Sequence, residues 1–421
     1  QEQFNFDVTE IEITNDGNTF KGLKRGKITS NDGIVIDADN FTYDKLKNIL
    51  YANGNVKIED TVQNYIIFSE NIIYFRNDEK IVTEGKSKAL DDIGQIIDAD
   101  NFTYEKPKNI LNANGNVKIE DTVQNYIILA EDITYFRNDE KIITKGPTKA
   151  NIHSKYDIES KNVIFLKNEG RFKSKYKTKI IDQNSQLYHL DQFDYSINES
   201  LLKGVNILIV SNYQKPKSDK FFFSNALVNL EKKTFIAKNT QISLHKDIFD
   251  RTDNDPRIYG ATSKGESDKT IINKGVFTSC KINDNCPPWS ISAEKIEHSK
   301  KEKKITYKNA FLKIYDFPVF YLPKFFHPDP TVRRQSGLLK PEINHSKILG
   351  SSLTMPYYFD ISDDKDYTLK PTWFDNKFLI LQNEYRQTKK NYNILADFGY
   401  VRDYKSTTSI DKEKKDFGHF F

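Results

Sequence analysis

The chain has 421 residues, enough for two or three domains, with 37% hydrophobic and 29% charged residues, a balance typical of folded protein. Its 63 basic and 59 acidic side chains are mixed along the length for a net charge of +4, so it lacks the basic stripe of a nucleic-acid binder. No segment approaches the roughly 18 consecutive apolar residues of a membrane helix, whereas 23 Tyr and 29 Phe favour pleated sheet.

The chain begins at Gln1 with neither an initiating Met nor the apolar core of a signal peptide, which suggests a processed or trimmed N-terminus. Residues 36–85 and 97–146 then match at 41 of 50 positions, an offset of 61 residues. The duplicated unit is itself double. The small residue of "IDADNFTY" recurs at Ala38, Ser69, Ala99, Ala130 and Ser160, giving a period of 30 to 31 residues.

Each period carries an apolar row that alternates by two with one phase shift: Ile36, Ala38, Phe41 and Tyr43, then Ile67, Ile72 and Tyr74, then Ile97, Ala99, Phe102 and Tyr104, then Ile128, Ile133 and Tyr135. Alternation is the strand signature, and the extra residue is what a β-bulge or bend inserts. Weaker copies follow at Ile158 to Phe165, at Tyr188, Leu190, Phe193 and Tyr195, at Phe222, Ser224 and Leu227, and at Ile291 to His298. A second strand in each period, such as "ILYANGNVKI", turns at Gly54, with counterparts at Gly85, Gly115, Gly146 and Gly204, where positive φ or close backbone approach is expected. The pattern predicts a stacked β-structure over residues 10 to 315. Its inward row is either a filled core or the lining of an apolar groove.

Cys280 and Cys286 are the two cysteines. Their spacing admits a local disulfide loop or two thiols; a zinc site would need further ligands that no nearby His pair supplies, so no metal or other cofactor is expected. From Gly337 onward the repeat gives way to segments of about ten residues with one apolar face, including Leu353, Met355, Tyr357 and Phe359, then Tyr367, Leu369 and Trp373, then Ile394, Ala396, Phe398 and Tyr400. Such strands suit a transmembrane β-barrel or a soluble antiparallel sheet. Five cannot close a barrel, so a barrel would be cut short at Phe421.

Between the two regions lie "ISAEKIE" (291–297), "NAFLKIYDFPVFYLPKF" (309–325) and "RRQSGLL" (333–339), after a Cys-Pro-rich, Trp-containing entry. These stretches resemble the LptD family of outer-membrane lipopolysaccharide-assembly proteins. The resemblance implies an all-β chain: an OstA-type periplasmic β-jelly-roll over 1–325, folded over on itself, then a junction and the first antiparallel strands of a truncated outer-membrane barrel over 326–421. It implies lipopolysaccharide transport into the outer leaflet, with the apolar row as a groove for acyl chains. The implied partners are lipopolysaccharide, a periplasmic OstA-type bridge protein and a plug lipoprotein inside the barrel; the implied location is the outer membrane with a periplasmic N-terminal domain. Pro341 and Pro356 would flank a lateral gate, because proline cannot donate to a strand ladder. The family ties its two domains by disulfides between distant cysteines, so Cys280 and Cys286 pair either with each other or with cysteines beyond Phe421.

The competing readings are a soluble periplasmic bridge or β-solenoid scaffold, and a β-helix polysaccharide-active enzyme. The enzyme would need paired carboxylates; Asp37, Asp39, Asp98 and Asp100 are more simply solvent-facing, and His245, His298 and His327 adjoin no nucleophile motif. No enzyme activity is expected. Arg333 and Arg334 suit either anionic headgroups or anchoring at a barrel rim.

Overall fold

The computed structural model describes residues 4–91, 94–245, 255–266, 268–282, 287–328, 332, 334–347, 349–375, 378–404 and 415–420. Among them the chain is all-β, broken by three short 3-10 turns at Arg76–Asp78, Lys106–Lys108 and Arg137–Asp139, with no α-helix. It divides into two compact units, the first made mainly of residues up to 247 with 253–267 and 275–285, the second mainly of residues from 286 onward.

In the first unit one strand explains the design. Ile49–Asp60 runs twelve residues, but its ladder slips between Asn53 and Val56, where Gly54 has φ +79° and Asn55 φ +46°. A Cβ on Gly54 would lie 2.7 Å from Asp39 Oδ2, so both the dihedral and the space require glycine there. The slip bends the strand. Its first half pairs with Asn40–Asp44 and its second half with Ile34–Ala38. The next strand, Tyr65–Phe75, pairs with both halves. One hydrogen-bonded row then continues through Lys80–Glu84 and Asn101–Glu105, the other through Ser87–Asp91 and Gln95–Ala99. Both rows meet again on Ile110–Asp121, which slips at the equivalent place, between Asn114 and Val117. The result is a sheet folded over along a line of bends, with two rows of strands facing each other across a shared interior.

The interior is apolar because alternate residues of both rows point into it. A single buried cluster runs from Phe4 and Ile28 to Val228 and Ala237. Two expectations shift in detail. Around 222–228 the inward residues are Phe223, Ala226 and Val228, while Phe222 and Leu227 are exposed; aligning that copy on Ser224 placed it one residue out of phase, which reverses every side chain. Gly204 meets the close-approach condition and not the dihedral one: a Cβ would lie 2.5 Å from Leu190 Cδ2, and the left-handed residue of that bend is Asn206, φ +50°.

The second unit contains an antiparallel set, Trp289–Ser299, Lys304–Ile314 and Phe317–Pro328. A separate eight-stranded sheet follows in the chain. Its long members are Lys365–Phe374, Leu379–Lys389 and Tyr392–Tyr404, paired in sequence and then joined by Lys415–Phe420. At 10 and 11 residues the first two match the roughly 9–11 residues of a tilted membrane-spanning strand, and the third, at 13, is slightly longer. Among the described residues no helix is long and apolar enough to cross a membrane, a fact that does not bear on β-barrels.

Candidate functional site

The fourteen residues expected to line the interior, from Ile36 to Tyr135, all face it, and none is more than 7% exposed. The four tyrosines among them mark where the interior ends. Tyr43 donates to Asn48 Oδ1 (2.8 Å), Tyr74 to Asp32 Oδ2 (2.9 Å), Tyr104 to Asp60 Oδ2 (3.0 Å) and Tyr135 to Glu140 Oε2 (2.8 Å). Each ring packs among aliphatic side chains while its hydroxyl reaches a polar rim, the usual division for a buried tyrosine. Burial first, and then the neighbouring carboxylate, push the Tyr74, Tyr104 and Tyr135 hydroxyls well above their ordinary range, so they remain donors.

This rim lies opposite the bends. Strand Ile49–Asp60 starts at one rim and ends at the other, so Asn48 and Asp60 stand on facing edges of the folded sheet. Tyr74 and Tyr104 belong to one row, Asp32 and Asp60 to the edge of the other, and their hydrogen bonds therefore cross the mouth. Ion pairs cross it too: Arg76 to Asp32 (3.7 Å), Lys106 to Asp32 (3.4 Å) and Asp60 (3.9 Å), and Lys167 to Asp91 (3.0 Å). The Asp32 carboxyl is raised by burial, but hydrogen bonds from Ser30 and Tyr74 and the charges of Lys106 and Arg76 outweigh this and hold it below the ordinary carboxylate range. The sequence reading did not single out these residues. A signal existed, since Arg76, Lys106, Arg137 and Lys167 recur with the period of the repeat.

Two of the acids beside the small-residue position, Asp39 and Asp100, are structural. Asp39 accepts hydrogen bonds from Asn55 Nδ2 and Arg25 Nη1, both 2.8 Å, and Asp100 accepts one from Asn116 Nδ2 (2.8 Å), so each braces a bend. Of the histidines named above, His245 pairs with Asp219 (2.9 Å) and His327 Nε2 with the Tyr307 hydroxyl (2.9 Å). Among the described residues no group of His, Cys, Asp and Glu has the arrangement of a metal site. Cys280 is half-buried, and its carbonyl accepts a hydrogen bond from Arg257; Cys286 lies outside the described residues.

The second unit displays apolar side chains outward. Phe317, Val319, Phe320, Tyr321 and Phe326 are exposed along one strand, Phe317 at 76%, and in the eight-stranded sheet Ile343 (81%), Leu353, Phe359, Trp373, Leu395 and Phe398 are exposed. Buried polar residues lie on the same sheet: Asp366 accepts Arg334 Nη2 at 2.7 Å and Arg386 Nε at 2.8 Å, and Thr368 is buried beside it. Arg334 is thus committed to an ion-pair cluster; Arg333 lies outside the described residues.

Pro341 and Pro356 sit where this sheet is interrupted. Pro341 separates Gly337–Leu338 from Glu342–Ser346, and Pro356 separates Gly350–Thr354 from Tyr357–Ser362. The Leu339 amide donates to the Pro356 carbonyl at 2.8 Å, so the two interruptions lie side by side. Neither proline has an amide to donate to this seam.

No protein-family model matches the chain. Among curated proteins it is similar to "LPS-assembly protein LptD" from Pseudoalteromonas translucida (36% identical over 136 residues, 32% of this chain and 18% of that protein). The protein of the same name from Pseudomonas aeruginosa is 29% identical over 140 residues, 33% of this chain and 15% of that protein. That from Yersinia enterocolitica is 35% identical over 123 residues, 29% of this chain and 15% of that protein. The matched regions thus span less than a fifth of each of these relatives. A solved structure, LptH, the LptA homologous periplasmic component of the lipopolysaccharide transport device of Pseudomonas aeruginosa, aligns with 26% of this chain and 81% of its own at 14% identity and a TM-score of 0.25. Over about a third of its length the chain is similar to these LptD proteins, in agreement with the resemblance read from its own residues.

Proposed function

We propose that the chain takes part in lipopolysaccharide transport and assembly at the outer membrane, residues 1–325 acting in the periplasm and 326–421 as junction and first barrel strands. The observation that carries this reading is the continuous apolar interior of the folded sheet, which begins near Phe4 and extends to Ala237. Acyl chains need such shelter: at about 0.8 kcal/mol per methylene, exposing one chain of about a dozen carbons to water costs on the order of 10 kcal/mol. An interior that accepts the chain while the rims part avoids that cost at every step along the stack.

The exposed apolar strands of the second unit support membrane insertion, and the adjoining interruptions at Pro341 and Pro356 support a lateral gate through which the lipid leaves. The partners in this reading are lipopolysaccharide itself, a periplasmic bridge protein of the same repeat type and a plug lipoprotein. The sequence similarity to LPS-assembly proteins supports the same assignment.

Site-specific photo-crosslinking in cells tests it. A photoreactive residue replacing the interior Phe102 should capture lipopolysaccharide, and one replacing Tyr51, exposed on the outer face of the preceding copy, should not. Absence of a lipopolysaccharide adduct at Phe102, or equal adducts at both positions, would overturn the proposal.

A further inference from the structure

The mouth of the first unit has more cations than closure needs. Arg76, Lys106, Arg137 and Lys167 each stand at the start of a rim turn, one per repeat. Each repeat adds two strands to a row, and neighbouring strands lie about 4.8 Å apart, so successive cations are spaced by about 10 Å. Three of the four are neutralised by aspartates from the opposite rim.

Arg137 differs. Among the described residues it pairs with no carboxylate. It donates to the Gln63 carbonyl (3.1 Å) and to Asn109 Oδ1 (3.1 Å), lies 4.0 Å over the Tyr65 ring, and its Nε is buried without a hydrogen-bond partner. The Tyr65 hydroxyl and both side-chain amide atoms of Gln95 are likewise buried and unsatisfied on this side of the interior. A half-buried guanidinium with unused donors is suited to an anionic oxygen group, which its planar fork can bind through two hydrogen bonds. Parting the rims also lets water or ligand satisfy the groups that closure leaves unpaired, which offsets part of the cost of breaking the rim pairs.

We propose that this rim is a row of exchangeable anion sites: Arg137 first, then the neighbouring cations as their aspartate partners are displaced, bind the anionic headgroup of an amphiphile whose chains occupy the interior. The headgroup moves between rungs about 10 Å apart while the chains slide beneath it. This rests on the transport reading above.

The test uses the full chain held in amphipol and two probes with the same acyl chain, lysophosphatidic acid (1-palmitoyl), which is anionic, and monopalmitoylglycerol, which is not. The double variant R137Q/K106Q should bind the anionic probe about tenfold more weakly, equivalent to roughly 1.4 kcal/mol, with affinity for the neutral probe unchanged. R137K, which keeps the charge and loses the fork, should fall between. Equal weakening for both probes, the sign of a merely structural role, overturns the anion row, as does unchanged binding of the anionic probe. If the unsubstituted chain binds neither probe, the lipid-carrying interior itself fails and the row with it; if it binds both and only the headgroup dependence is missing, the interior stands and the row alone falls.

Discussion

At the scale of single residues, the folded sheet depends on positions where the backbone and not the side chain is limiting. Gly115 has φ +76°, and a Cβ there would lie 2.4 Å from Asp100 Oδ2; Gly146 has the same φ, but its nearest neighbour would be 4.0 Å away, at Glu131 Oε2. Gly115→Ala should therefore combine dihedral strain with the displacement of a bracing carboxylate and cost about 1–3 kcal/mol, whereas Gly146→Ala carries the strain alone, near the low end of that range. Hydrogen–deuterium exchange of peptides covering 110–121 and 141–152 would measure both; equal protection losses would contradict the argument. Asp32 supplies a pH-dependent case. Its carboxyl is held below the ordinary range when folded, so its contribution is present above the unfolded value of about 3.9 and is lost as pH falls through the folded value. Asp32→Asn should lower the urea midpoint at pH 7, followed by circular dichroism, and the two proteins should converge as the pH drops below about 4.

At the scale of elements, the inward rows were legible because alternation by two survives in a sequence whose one phase shift falls at a repeated small residue. Tyr43, Tyr74, Tyr104 and Tyr135 could be placed on one face without coordinates. The copy at Phe222 to Leu227 was misplaced because its small residue, Ser224, does not sit where Ala38 does, and a strand offers no other mark of phase. The rim was overlooked for a different reason: its ion pairs join residues 44 to 76 positions apart, and only the folding-over of the sheet brings them together. The prolines, in contrast, were legible as breaks in a ladder, since their missing amide is a property of the residue itself. Within that seam, Leu339 N–H to Pro356 O is the one bond across the two interruptions that the backbone hydrogen bonds record among the described residues. P341A/P356A restores two amides to the seam. Under the gate proposal, the double variant expressed in cells should reduce surface lipopolysaccharide several-fold while leaving protein levels unchanged; undiminished surface lipopolysaccharide would remove the gate.

At the scale of the whole molecule, the 61-residue duplication changes how many strands the first unit stacks and leaves their order intact. Residues 40–44, 49–53, 71–75 and 80–84 are the four strands that one copy adds to one row, a length of about 19 Å at about 4.8 Å per strand. Deleting residues 36–96 joins Val35 to Ile97, which carries the same inward phase as Ile36. The rim survives as well: Tyr135, Arg137 and Lys167 then occupy the places that Tyr74, Arg76 and Lys106 hold against Asp32, because each pair is separated by the same 61 residues. The shortened chain should therefore fold with an unchanged β-type circular dichroism spectrum and a shorter interior. Deleting residues 36–95 instead leaves one residue too many, turns every inward side chain after the join to the outside, and should abolish folding. If both deletions fold equally well, the stack is not held in register by its inward row, and the interior described here is not what specifies the fold.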